Sequence, residues 1–185
     1  MKILLTGMSG VGKTTTLAEL QKHGYLVIDS DATGLCKWQN IETRADVHYG
    51  LDGRNYEWLT KHGWYCDIDK FKQFLSFIPD DKLVFISGMP ENIKEFAKIF
   101  DKIFLLDPGR AETEKRLIER TNNHFAKKES ERLFMFEHTQ ELLNQLDAPI
   151  SKIDTDKKPE LVARAILDSL KFHENLSKTI KSGRN

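Results

Sequence analysis

Eight consecutive residues, Gly7-Met8-Ser9-Gly10-Val11-Gly12-Lys13-Thr14, constrain this chain more than any other stretch. They fit G-x-x-x-x-G-K-[ST] in full. Glycines permit the backbone angles that turn successive N–H groups inward, so such a loop forms a nest for an anion. An apolar run, Lys2–Thr6, leads into the loop, and a helical stretch from Thr14 to His23 leads out of it. The positive end of that helix then points at the nest. The Lys13 ammonium can reach terminal phosphates and the Thr14 hydroxyl can ligate Mg²⁺. This strand–loop–helix setting separates the motif from a chance glycine-rich turn. Gly7 to Thr14, with Thr15 beside them, are therefore expected to bind the phosphates of a nucleotide.

The rest of the chain alternates in kind. Tyr25–Ile28, Leu83–Ser87, Lys102–Leu106 and Ile150–Asp154 read as further strands, mostly apolar throughout. Between them lie helical patterns. Leu17, Ala18 and Leu20 form an inner face, as do Ile68, Phe71, Phe74, Leu75 and Ile78, and then Ile93, Phe96, Ala97 and Phe100. Further helices are expected over Arg110–Arg120, over Glu129–Leu146, and from Pro159 onward with Leu161, Ala165, Ile166 and Leu170 inward. Strands without polar faces, alternating with helices, predict an α/β domain: a parallel sheet covered on both sides, in three layers. The length of 185 residues suits a single domain, with a polar tail fraying from Lys171 past Lys178, Lys181 and Arg184.

Composition excludes several partners. There are 28 basic and 28 acidic residues, so no basic excess marks a nucleic-acid or membrane surface. No run approaches the length of a membrane span, and the first apolar run is too short for a secretory leader. Cys36 and Cys66, the two cysteines, have neither metal-ligand nor redox spacing. Reduced thiols and a cytoplasmic protein, monomeric or homodimeric, are expected.

Asn-Lys-x-Asp, the usual guanine-reading stretch, is missing. Asp31-Ala32-Thr33-Gly34 fits a GTPase D-x-x-G only by chance, because it follows the second strand. Asp29 and Asp31 carry the acidic groups there, whereas the third strand ends in Ser87-Gly88. Taken together, GMSGVGKTT, VIDSD, FISG and Arg116-Leu-Ile-Glu-Arg120 resemble the P-loop small-molecule kinases of the shikimate kinase, gluconate kinase and nucleoside monophosphate kinase group. The likeness runs in order from Met1 to about Leu170 and lapses between Thr33 and Cys66, where that group carries its acceptor-binding segment.

The resemblance implies a five-stranded parallel sheet in the order 2-3-1-4-5, a lid, and transfer of phosphate from Mg-ATP to a small-molecule acceptor. It implies that Asp29 approaches the metal with Thr14, and that Asp31 meets the acceptor hydroxyl. It also implies that Arg116 lies against adenine while Arg120 reaches the phosphates, so that Lys13, Asp31 and Arg120 form the catalytic set. Four residues apart on one helix, the two arginines would share a face. Pairing with Glu112, Glu119 or Glu131 is the competing arrangement.

Thr121–Lys128, with the turn that follows to residue 131, occupies the place of the lid, where Lys127, Lys128 and Arg132 could add positive charge. Residues 33–66 hold Trp38, Trp58 and Trp64, with Tyr49, Tyr56, Tyr65, Arg44 and Arg54. Aromatic rings there can stack on a flat acceptor or form the segment's own core. Glu91 and Asn92 follow the third strand and can face the acceptor or cap a helix. A nucleoside or nucleotide acceptor is preferred to a sugar acid or cyclohexene acid, and Ser87-Gly88-Met89, standing where true shikimate kinases carry three glycines, speaks against shikimate itself. The alternative is a regulatory module that binds ATP as a switch and has no acceptor.

Overall fold

Side chains of a strand alternate between the two faces of its sheet, and β1 (Lys2–Thr6) shows what that requires here. Ile3 and Leu5 are buried on one face with Phe85 and Phe104, while Leu4 is buried on the other with Val84, Ile86 and Ile103. Only a strand at the centre of a doubly covered sheet needs both. A computed structural model describes residues 1–48, 55–121 and 125–182 of the protein.

The elements follow as α1 (Lys13–Lys22), β2 (Leu26–Asp29), β3 (Cys36–Asn40), α2 (Tyr56–Lys61), β4 (His62–Cys66), α3 (Ile68–Ser76) and β5 (Val84–Ser87). They continue as α4 (Ile93–Ala97), β6 (Lys102–Asp107), α5 (Arg110–Glu119), α6 (Glu129–Leu143), β7 (Ile150–Asp154) and α7 (Pro159–Ser182). The main sheet runs β2-β5-β1-β6-β7, all parallel. Counting only its own strands, that is the expected order 2-3-1-4-5. Leu17 and Leu20 of α1 and Val162, Ala163 and Ile166 of α7 cover one face. Phe71 of α3, Phe96 of α4 and Leu142 of α6 cover the other. The order places the loop after β1, Asp29 at the end of β2, and the turns after β5 and β7 along one carboxyl edge, where such sheets bind ligands.

Two helix faces differ from the sequence reading. In α7 the buried stripe is Val162, Ala163, Ile166 and Leu170, whereas Leu161 is 51% exposed and Ala165 also faces out. In α1, Ala18 is exposed and Thr16 and Glu19 join Leu17 and Leu20 inside. In α7, Leu161 and Ala165 form an apolar row beside the buried one, and packing against α1 and β7 selects which row faces in. The tail expected to fray from Lys171 is helical in its backbone through Ser182, and Arg184 lies outside the described residues.

The stretch from Thr33 to Cys66, where the resemblance lapses, contains structure of its own. Strands β3 and β4 pair antiparallel as a small second sheet, with Cys36 opposite Cys66, Trp38 opposite Trp64 and Asn40 opposite His62. Directly opposed, the two cysteines form a disulfide, which corrects the expectation of reduced thiols. A separation of 30 residues conceals a pair that the strand register brings face to face. Both cysteines are buried against Leu4, Phe71 and Ile86, so the bridge ties the small sheet to the main core. Closing a loop of this length removes unfolded-state entropy worth about 2–4 kcal/mol. Cys36→Ser/Cys66→Ser, or reductant added to the native protein, is expected to lower Tm by roughly 5–15 °C. A calorimetric scan with and without reductant measures this; an unchanged Tm would show that the bridge adds no stability.

Candidate active site

The loop after β1 turns back on itself through left-handed angles. Gly7 has φ 134°, and a Cβ there would come 2.6 Å from the Leu106 carbonyl oxygen, so no other residue fits. The turn brings the Lys13 side chain back over the loop, where Nζ donates to the carbonyls of Gly7 (2.6 Å) and Met8 (2.9 Å). Burial lowers the Lys13 pKa from its usual value, while Asp31 and Asp29 oppose that shift and Arg120 adds to it.

The two aspartates sit where β2 ends, in a short 3₁₀ turn over Ser30–Ala32. Asp29 accepts from the Thr14 hydroxyl (3.2 Å) at one oxygen. Its other oxygen accepts from the Ser87 hydroxyl (3.0 Å) and the Asp31 N–H (3.2 Å). Asp31 accepts from the Trp64 indole N–H at 2.9 Å. Open to the cleft but walled by protein, its carboxyl is raised above the ordinary range chiefly by desolvation, and further by Asp29, while Lys13 pulls it down. The Thr14 hydroxyl and Asp29 carboxylate are hard oxygen donors side by side. That suits Mg²⁺, which takes one or two carboxylates, phosphate oxygens and its own waters.

The arginines differ in their contacts. Arg116 lies within α5 and pairs with Glu112 (2.8 Å), so one of the competing arrangements holds, and it also donates to the Thr155 carbonyl (3.0 Å). Arg120 is the C-terminal cap of that helix: its N–H still donates to the Arg116 carbonyl (3.0 Å) and only the chain beyond it turns extended (φ −60°, ψ 146°), so the two residues sit one turn apart on one face. Its guanidinium donates to the Ser9 hydroxyl (2.9 Å) and to the Phe125 carbonyl. Both arginines nonetheless line one cavity of about 530 Å³ with Gly12, Thr14, Asp29 and Thr155.

A second cavity, of about 330 Å³, opens on the other side of the loop, and Ser9, Lys13 and Asp31 line both. Its aromatic wall comes from the segment 33–66. Trp38 meets Trp64 and Trp58 edge-on (5.8 and 5.3 Å between ring centroids), and Phe125 leans against Trp38. Trp38 and Trp64 line the cavity, whereas Trp58 stacks on His62 and supports Trp38 from behind. Arg44 covers the ring of Tyr65 at 3.4 Å, and Tyr56 donates to Glu137. Tyr49 and Arg54 lie outside the described residues, as do residues 122–124 of the lid stretch.

The described part of that stretch is less polar in its surroundings than its composition suggests. Phe125 and Ala126 pack with Leu117 and Met135. The charges expected to face the phosphates are partly engaged elsewhere: Lys127 donates to the carbonyls of Ile118 and Arg120, and Arg132 to that of Lys127 (2.6 Å) and to Glu114 (3.2 Å). Asn92 does not cap α4 through its side chain. It clamps Cys66 instead, accepting from its N–H (3.1 Å) and donating to its carbonyl (2.8 Å), which leaves Glu91 facing the cavity.

Several residues of the site escape a reading of the sequence. Phe134, Met135, His138 and Thr139 of α6 line the second cavity, and their i, i+1, i+4, i+5 spacing on one helix was the available signal. Thr155, whose hydroxyl donates to the Val11 carbonyl at 2.8 Å, follows a parallel strand at its carboxyl end. Among the described residues no helix is long and apolar enough to cross a membrane.

No protein-family model and no curated protein matches the sequence. Solved structures do match the fold. A gluconokinase from Sinorhizobium meliloti aligns over 100% of this chain and 97% of its own, at 18% identity and TM-score 0.55. A shikimate kinase from Acinetobacter baumannii, in complex with shikimate, aligns over 93% of both chains at 17% identity and TM-score 0.56. A deoxyadenosine kinase from M. mycoides with bound dATP aligns over 92% of this chain and 100% of its own, at 14% identity and TM-score 0.53. The sheet order, the glycine loop and these likenesses agree: the chain has the fold of the P-loop small-molecule kinases.

Proposed function

We propose that this protein transfers the γ-phosphoryl group of Mg-ATP to a hydroxyl of a small molecule. One observation carries the reading: two cavities meet at Lys13, Ser9 and Asp31, so donor and acceptor can lie on either side of one lysine and one carboxylate. A switch module would need only the first cavity. Phosphoryl transfer relies mainly on positioning and on fixed charge around the equatorial oxygens.

In this reading the loop N–H groups and the start of α1 hold the phosphates. Arg116 borders the nucleoside part of the cavity, where Glu112 and Thr155 orient it. The acceptor oxygen forms its bond to the γ-phosphorus as the bond to the β,γ-bridging oxygen breaks. The hydroxyl proton passes to Asp31, and ADP leaves. Lys13 and Arg120 neutralise the charge that spreads over the transferring group. Mg²⁺, when bound, would supply further positive charge to the phosphate oxygens. Thr14 would ligate it, and Asp29 would hold its waters.

The arginines separate ground-state from transition-state binding. Arg120→Ala is expected to lower kcat by about 10²- to 10³-fold with little change in ATP affinity, because its charge acts mainly on the developing transition state. Arg116→Ala is expected to raise the KM for ATP several-fold at nearly constant kcat. Coupled-assay kinetics with a responsive acceptor, together with ATP titration calorimetry, test both. Equal effects of the two substitutions on kcat and KM would remove the division of roles.

A further inference from the structure

The second cavity has a charge pattern that selects among acceptors. Glu91 enters it from the turn after β5, where its N–H donates to the Trp64 carbonyl at 2.7 Å and fixes the backbone. Gly63 of β4 makes room for it: a Cβ at Gly63 would come 2.3 Å from the Glu91 Cγ. One carboxylate oxygen, Oε2, meets His138 Nε2 at 2.7 Å, and Oε1 makes no hydrogen bond among the described residues. Nδ1 of His138 faces the carboxylate of Glu141 at 3.3 Å. Both imidazole nitrogens are therefore directed at carboxylates and neither is left for an incoming anion.

We infer that the acceptor is a flat-ringed hydroxyl compound of about nucleoside size that carries no anionic group and donates a hydrogen bond to Glu91. This rests on the phosphoryl-transfer reading above. Among the described residues lining the cavity, Lys13 is the sole lysine or arginine, and its ammonium lies over the Gly7 and Met8 carbonyls at the phosphate end. An acid or a monophosphate would thus meet Asp31 and Glu91 in a partly desolvated space, and repulsion there is strong. The bonds to Glu91 and Glu141 favour a protonated imidazole, yet two carboxylates against one imidazolium still leave the trio negative. A neutral acceptor avoids this repulsion and uses it: a ring N–H or amino group satisfies Glu91 while the hydroxyl meets Asp31. The indoles of Trp38 and Trp64, with Phe125, offer faces and edges for a flat ring. At about 330 Å³ the cavity sits at the small end of ligand pockets, matching one such molecule rather than a polymer.

Calorimetric titration of the full chain, saturated with a non-hydrolysable ATP analogue, tests the inference. The probes are adenosine, guanosine and cytidine, their 5′-monophosphates, and the hydroxy acids gluconate and shikimate. At least one nucleoside is expected to bind 10-fold or more tightly than its own monophosphate, roughly the effect of one unpaired buried charge, with the acids weaker still. Glu91→Gln is expected to weaken that nucleoside by about 10-fold or more. Tighter binding of an acid or monophosphate, no nucleoside binding, or an indifferent Glu91→Gln in a chain that unfolds at the native temperature overturns the assignment. Turnover with ATP on the same samples keeps the two readings apart. A nucleoside that binds through Glu91 without being phosphorylated leaves the cavity's specificity standing and removes the transfer reading. Transfer to an acid or a monophosphate does the reverse.

Discussion

Lys13→Ala is expected to lower phosphoryl transfer by at least about 10³-fold and to weaken ATP as well. The ammonium lies on the boundary between the two cavities, so, alone among the described lysines and arginines that line them, it can follow the phosphoryl group from donor to acceptor. It is also held in advance. Two loop carbonyls, 2.6 and 2.9 Å from Nζ, fix its position without substrate, so little reorganisation is needed at the moment of transfer. Those same bonds separate two contributions that alanine would remove together. Lys13→Arg keeps the charge but not its compact geometry, and is expected to retain more ATP affinity than turnover. Initial rates and ATP titration on both variants, with circular dichroism to verify folding, make the measurement. Near-native turnover in Lys13→Ala would remove the lysine from the mechanism and the proposed function with it.

What the sequence discloses of this architecture follows from how local each signal is. β1 reads correctly because a strand buried on both faces must be apolar at every position, and Ile3, Leu4 and Leu5 are. The glycine loop reads correctly because its angles admit few residues, as the clash of any Cβ at Gly7 with Leu106 illustrates. The aspartates after β2 are short-range too, and the fold sets Asp29 within hydrogen-bond reach of the Thr14 hydroxyl. The segment 33–66 resists for the opposite reason. Strands β3 and β4 are edge pairs with partly exposed faces, and what holds them is long-range: a disulfide, crossed indoles, and the Asn92 clamp on Cys66. None of these leaves a period in the chain. His138 and Glu91, 47 residues apart, become a pair only once α6 is laid across the end of β5. Arg120 is legible from spacing as well: four residues after Arg116, it lines the same cavity although the helix proper ends at Glu119.

Asp31 yields the second large effect and one that depends on pH. As the base for the acceptor hydroxyl it must be ionised, and its carboxyl is raised above the ordinary aspartate range, mostly by desolvation in the cleft. Turnover should therefore fall as pH drops through that raised value, at a higher pH than an unperturbed aspartate would give. Asp31→Asn is expected to lower kcat by about 10²- to 10⁴-fold, the usual range for a general base, and to abolish this acid limb. ATP affinity should change far less. Stability should move in the opposite direction. A carboxyl raised on folding binds protons more readily in the native state than in the unfolded one, so the native state loses stability as pH climbs from the unfolded to the folded pKa. Above that window the ionised carboxylate is a net cost that the amide does not incur, tempered by attraction to Lys13 and by water reaching the cleft. Asp31→Asn should then unfold at the same temperature as the native protein or slightly higher at pH 8, while being nearly inactive. The Trp64 indole N–H, which donates to the carboxylate, can still donate to the amide oxygen, so the cavity wall should survive the exchange. Thermal unfolding at pH 5 and pH 8, set beside the pH–rate profiles of both proteins, decides the matter. A variant that keeps its acid limb would show that another group takes the proton.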